Sequence, residues 1–163
     1  MTTISEHVAY SEVIHSDTAK RLGISNIPNG GQTERIKTIA HKIFEPLRVA
    51  LGVPIYISSC FRSEALNKVI GGAKGSQHLS GEAMDLDADK YGKTTNKAIF
   101  EYIKDNLEFD QLILENVGGD GTGGWVHCSF TYKHPNRNEI LKMKVVDGKS
   151  TYEKYIKTIE DGI

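Results

Sequence analysis

Apolar residues recur at helical spacing through Ile36, Ile39, Ala40, Ile43, Phe44, Leu47 and Leu51, which predicts an amphipathic helix with Thr33 as N-cap and Gly52 just past its end. Pro46 lies inside that stretch and predicts a kink. Before it, Asn26 to Gly31 reads as a loop. The period then shortens. Pro54 to Phe61 is alternating and β-branched, a strand. Ser63 caps a short helix through Ile70 that Gly71-Gly72 ends, and residues 71 to 81 form a loop. From Ala83 to Ala88 the alternation sets Met84, Leu86 and Ala88 on one face and Ala83, Asp85 and Asp87 on the other. Thr94 or Thr95 caps a helix with the stripe Ala98, Ile99, Tyr102, Ile103 and Leu107. Phe109 to Glu115 is a further strand. After the glycine-rich loop Val117 to Gly124, Trp125 to Tyr132 alternates again, with Val126, Cys128, Phe130 and Tyr132 opposite Trp125, His127, Ser129 and Thr131. A strand over Leu141 to Val146, an Asp147-Gly148 turn and a last amphipathic helix through Tyr152, Tyr155, Ile156 and Ile159 complete the pattern.

Leading helices and clustered strands make the class α+β, with N-terminal helices packed on a mostly antiparallel sheet. The 163 residues carry no linker or repeat, so the expectation is a single domain over 1–163. Lys plus Arg is 20 against Asp plus Glu 21, which gives no global basic field to attract nucleic acid or an anionic membrane. No apolar run is long enough to span a bilayer, and the start has neither a basic n-region nor an apolar h-region. The chain is therefore expected to be made in the cytoplasm without a signal peptide and to be a monomer. Cys60 and Cys128 are too few for a disulfide scaffold and read as small buried thiols, Cys128 pointing to the core side of its strand.

Chemistry concentrates in Ser76-Gln77-His78-Leu79-Ser80-Gly81-Glu82-Ala83-Met84-Asp85, taken with Trp125-Val126-His127. One imidazole from a loop, one carboxylate from the next strand and a second imidazole from a distant strand make a two-His, one-carboxylate set. Zinc takes such a set as three ligands of a tetrahedron and keeps the fourth position open. Bound water there has its pKa lowered to roughly 7. Asp85 and His127 both fall on the polar face of their strands, which adds to this reading, while a hydrogen-bonded structural pair without metal stays the commoner outcome of such spacing.

The string SQHLSGEAMD followed by WVH resembles the SxHxxGxAxD and WxH signatures of the zinc D-Ala-D-Ala carboxypeptidase and L-alanyl-D-glutamate endopeptidase family, hedgehog-like in fold, which includes phage endolysins. Ser59-Cys60-Phe61-Arg62-Ser63 with Leu66-Asn67 and Gly71-Gly72, the segment Phe44 to Arg48, and Asp110 to Glu115 extend the resemblance over roughly residues 5 to 148. The resemblance implies zinc held by His78, Asp85 and His127, with Arg62 facing the cleft to hold a peptide carboxylate or an oxyanion. Ser76 and Gln77 become candidates for substrate binding, Trp125 for a wall of the cleft and Asp87 for a partner of a ligand histidine. One position departs from the family pattern. Many members place an acidic general base three residues before the second His, where this chain has Gly124. Glu115 is the preferred replacement because it closes a strand, and Asp120, among glycines, is its competitor.

The resemblance implies a zinc metallopeptidase that hydrolyses an amide in the peptide stem of bacterial peptidoglycan, as an endolysin-type endopeptidase or a D-Ala-D-Ala carboxypeptidase; as a phage or prophage lysis enzyme it would act at the cell wall. The alternative is a non-catalytic zinc-stabilised binding module of the same fold.

Overall fold

The computed structural model describes residues 2–155. In chain order the elements are β1 (Thr3–Ser5), β2 (Val8–Ala9), α1 (Tyr10–Ile14), α2 (Asp17–Leu22), α3 (Gly30–Ile39), a π-helical turn (Ala40–Phe44), α4 (Glu45–Leu51), β3 (Tyr56–Ser59), α5 (Glu64–Val69), a 3₁₀ turn (Gln77–Ser80), β4 (Ala83–Asp87), α6 (Asn96–Asn106), β5 (Gln111–Glu115), β6 (Trp125–Ser129), β7 (Glu139–Val146) and β8 (Lys149–Lys154). The class is α+β. β1 and β2 form a small hairpin, and the other six strands make one sheet in the order β3-β4-β6-β5-β7-β8. Every neighbouring pair is antiparallel except β5 with β7.

Strand alternation divides the sheet by chemistry. Met84, Leu86, Leu112, Val126 and Cys128 are buried against Ile36, Ile39, Ile43, Phe44 and Leu47 from the α3–α4 segment and Ile99, Phe100 and Ile103 from α6. Each such side chain contributes about 1.5–3 kcal/mol on burial. Asp85, His127 and Ile113 are in-register partners across β4, β6 and β5, so they share the opposite face. The helices thus hold the sheet from one side and leave the other to the cleft.

Three local expectations need correction. Asn29, not Thr33, caps α3: its side chain accepts from the Gln32 backbone N–H at 2.8 Å while Gln32 accepts from the Asn29 N–H, a reciprocal box that starts the helix four residues earlier. Around Pro46 the chain widens into the π turn, in which the Glu45 N–H reaches Ala40 O, and α4 then starts afresh with proline in its first turn, where a missing N–H costs little. The expected last helix is replaced over Lys149–Lys154 by β8, which pairs with β7 as a hairpin across Asp147-Gly148. Ile156 and Ile159 of that helix lie outside the described residues. The short elements β1 to α2 carry too few residues for a periodic signal.

Candidate active site and metal centre

Three donors converge from three segments. His78 sits in the 3₁₀ turn, whose N-cap is Ser76: the Ser76 hydroxyl accepts from the His78 N–H. α3 fixes that turn from behind, as Gln32 donates to Leu79 O at 3.0 Å and Arg35 to Ser80 O at 2.6 Å. Gly81 closes the turn at φ +78°, and a Cβ there would stand 2.6 Å from Gln32 O, so the glycine is demanded both by conformation and by the approach of α3. Asp85 and His127 are set by the β4–β6 register. One donor atom from each of the three residues lies within 4.8 Å of the others.

The hydrogen bonds around these donors define their states. Nδ1 of His78 is 2.6 Å from the Cys60 carbonyl, which accepts only if that nitrogen carries the proton. Nε2 therefore bears the lone pair, and it is buried without a hydrogen-bond partner, 3.3 Å from Asp85 Oδ1. The same oxygen is 2.9 Å from His127 Nδ1. An orphaned imidazole lone pair beside a carboxylate and a second imidazole is a donor set that fits a metal cation. Burial pushes the His78 pKa down and keeps the ring neutral, against the pull of Asp85. Burial acts on His127 in the same sense, but the hydrogen bond and charge of Asp85 outweigh it and raise its pKa. For Asp85, burial is overcome by His78 and His127, and the carboxylate is held well below its usual range.

Arg62 follows β3 and points its guanidinium at this cluster. It donates to Ser59 Oγ at 3.2 Å, to Asn67 Oδ1 at 3.4 Å and to Asp85 Oδ2 at 3.3 Å, so it is an ion-pair partner of a candidate ligand as well as a lining residue. Glu115 is on the His127 face, two residues beyond Ile113 on β5 and paired with Trp125 across the strands. It is only 8% exposed. Burial, with the like charge of Asp85, pushes its pKa up to about 7, partly offset by His127 and Arg62. Gly124 has φ +58°, and a Cβ there would lie 1.9 Å from the Glu115 carbonyl oxygen. No side chain fits at 124, and the carboxylate in this part of the cleft comes from the neighbouring strand.

A cleft of about 670 Å³ joins Arg62, Ser76, Gln77, Glu115 and Trp125 to the three donors. Asp120 is not in it: exposed in the glycine loop, its carboxylate accepts from the backbone and hydroxyl of Thr122 at 3.0 and 2.8 Å. Asp87 partners neither histidine; its carboxylate takes the Asp89 N–H and the Asn96 amide, and the Cys60 carbonyl holds His78 instead. Both cysteines are buried in the core cluster with their thiol pKa values raised by burial. Sequence reading missed Asp110, fully buried at the floor of the cleft, where it accepts a bidentate pair from Arg137 (3.0 and 2.8 Å) and the Gln77 amide at 2.9 Å. Gln77 is thereby pinned toward the cleft wall.

Residues 6–129 match the sequence model of the family described as Peptidase M15. The chain belongs to the Peptidase M15 family. A search of curated proteins finds no match. As an M15 peptidase the protein is a hydrolase of a metallopeptidase family, and the His78–Asp85–His127 cluster is a place where it can hold a metal. β7 and β8 lie outside the matched segment. Among the described residues, no helix is long and apolar enough to cross a membrane.

Proposed function

We propose that this M15 peptidase is a zinc enzyme that hydrolyses an amide bond in the peptide stem of bacterial peptidoglycan, as an endopeptidase or a D-Ala-D-Ala carboxypeptidase acting at the cell wall. The observation that carries the reading is the meeting, in one open cleft, of a two-imidazole, one-carboxylate donor set with the buried carboxyl of Glu115. His78, Asp85 and His127 would hold the zinc, which when bound would supply Lewis acidity toward the scissile carbonyl and acidify a water.

The chain's own groups do the rest. The Cys60 carbonyl keeps the His78 tautomer with Nε2 free to ligate. Arg62 holds Asp85 Oδ2, which leaves Oδ1 facing the histidines, and its charge favours the oxyanion that forms on the carbonyl oxygen. Glu115 takes the proton from the attacking water on its carboxylate and hands it to the leaving amine. Its burial in the cleft makes the protonated form easier to reach, which suits a group that must both accept and donate. Ser76, Gln77 and Trp125 line the cleft for the peptide. The bare position at Gly124 favours the alternative, a zinc-stabilised binding module, but Glu115 supplies a carboxyl within the same cleft.

The test is incubation of purified protein with peptidoglycan fragments and identification of new peptide termini by mass spectrometry, with metal analysis in parallel. One zinc per chain and one class of new amine are expected. His78→Ala and His127→Ala each lose zinc and turnover together. Glu115→Gln keeps zinc while turnover falls by roughly 10²-fold or more, the scale of general acid-base catalysis. Zinc binding with no new termini in any substrate would establish the binding module instead.

A further inference from the structure

The order of strands in the sheet lays the catalytic groups in a line. Arg62 follows β3, Asp85 is on β4, His127 on β6 and Glu115 on β5. Beyond them Glu115 pairs with Met143 on β7, and Met143 pairs with Tyr152 on β8. In-register partners share a face, so Tyr152 stands on the catalytic face two strands past Glu115, at a spacing of about 10 Å. Tyr152 lines the same cleft and is 57% exposed, a large aromatic on an otherwise polar strand. Its phenol feels the site: burial, then the charges of Glu115 and Asp85, raise its pKa.

We propose that Tyr152 is a specificity-determining residue that contacts the substrate on the leaving-amine side of the scissile bond. This rests on the reading of Arg62 and Glu115 given above. With the scissile carbonyl at the donors of β4 and β6 and Glu115 on β5 protonating the amine, the C–N bond points toward β7 and β8, and the leaving peptide continues to that side. An extended chain advances about 3.3–3.6 Å per residue, which brings the second or third residue after the cut bond over Tyr152. The occupant is therefore a peptide continuing past the cleaved amide, and its contact is with the flat face of the ring, which offers large area at low conformational cost. A substrate that ends one residue after the bond does not reach it. The β7–β8 hairpin, outside the segment matched to the family, thus makes the cleft one for longer leaving peptides.

Two peptides sharing the cut bond test this, one ending a single residue after it and one continuing for three more. In the zinc-loaded wild type the longer peptide has the higher kcat/KM. In Tyr152→Ala the ratio of kcat/KM, long over short, falls about tenfold, the scale of a lost apolar contact, and the change lies in KM. Tyr152→Phe keeps most of the ratio. Fluorescence of Trp125, the single tryptophan of the chain, gives the same ranking as binding curves on Glu115→Gln, where turnover is slow enough for binding to be read first. A ratio unchanged in Tyr152→Ala, while the wild type still cuts both peptides, overturns this inference and leaves the function standing. A wild type that neither binds nor cuts either peptide overturns both.

Discussion

A buried carboxyl beside a like charge binds its proton more tightly folded than unfolded, and Glu115 is in that position next to Asp85. Its pKa rises from an ordinary 4.5 to about 7, so the folded metal-free chain gains stability from this group below pH 4.5 and loses it as pH climbs through 7. Glu115→Gln has no charge to bury. In chelator-treated protein this variant is expected to melt several degrees above the wild type at pH 8 and to converge with it near pH 4.5, a gap on the order of 2–3 kcal/mol that thermal scans resolve. Gly124 gives a second expectation at this scale. Gly124→Glu places an acid at the family position but meets the Glu115 carbonyl, so it does not restore turnover to Glu115→Gln. It also lowers the urea midpoint, since a non-glycine residue at positive φ costs about 1–3 kcal/mol before any overlap is relieved.

At the scale of elements, α3 reaches the metal centre without touching it. Arg35 and Gln32 clamp the carbonyls of Ser80 and Leu79, and the turn they hold carries His78. Arg35→Ala is expected to weaken zinc affinity by less than the roughly 10- to 100-fold typical of direct ligand partners, with the α-helical circular dichroism unchanged. Competition with a chromophoric chelator measures it. The elements also show what a sequence exposes. β4 and β6 alternate apolar and polar residues because one face is buried and the other lines the cleft, so the common face of Asp85 and His127 is legible from the pattern. β8 is exposed throughout, and with no buried face it has no alternation to read. Tyr152, Tyr155, Ile156 and Ile159 instead offer a helical spacing, which the pairing with β7 overrides across Lys149–Lys154. Asp110, Gln77 and Arg137 form a cluster that no local pattern announces, because its members are brought together from 27 and 33 residues apart.

For the molecule as a whole, the donors tie a turn, a strand at the second position of the sheet and a strand at the third into one point. A metal held there would bind only where all three are assembled, so its binding energy would be folding energy. Zinc at a hundred times its dissociation constant is expected to add about 2.7 kcal/mol, which for a chain of this size raises the melting temperature by roughly 5–11 °C. Calorimetry with and without chelator checks this. The gain shrinks in acid, because His127, whose pKa is raised, must lose its proton to ligate.

The sheet ends in two unlike margins. Beside β3 lies α1, whose Val13 carbonyl takes the Phe61 N–H just past the end of the strand. At β8, among the described residues, no further strand follows, and its six residues are exposed, with Lys149, Glu153 and Lys154 among them. An open strand is a template on which a second chain can add, and charged side chains along it make that addition unfavourable. Here the protection serves more than solubility. A copy docked along β8 would build outward from the strand that carries Tyr152, beside the cleft that Tyr152 lines, so on the function proposed above the same charges that discourage self-association would leave that side open to a tethered polymer.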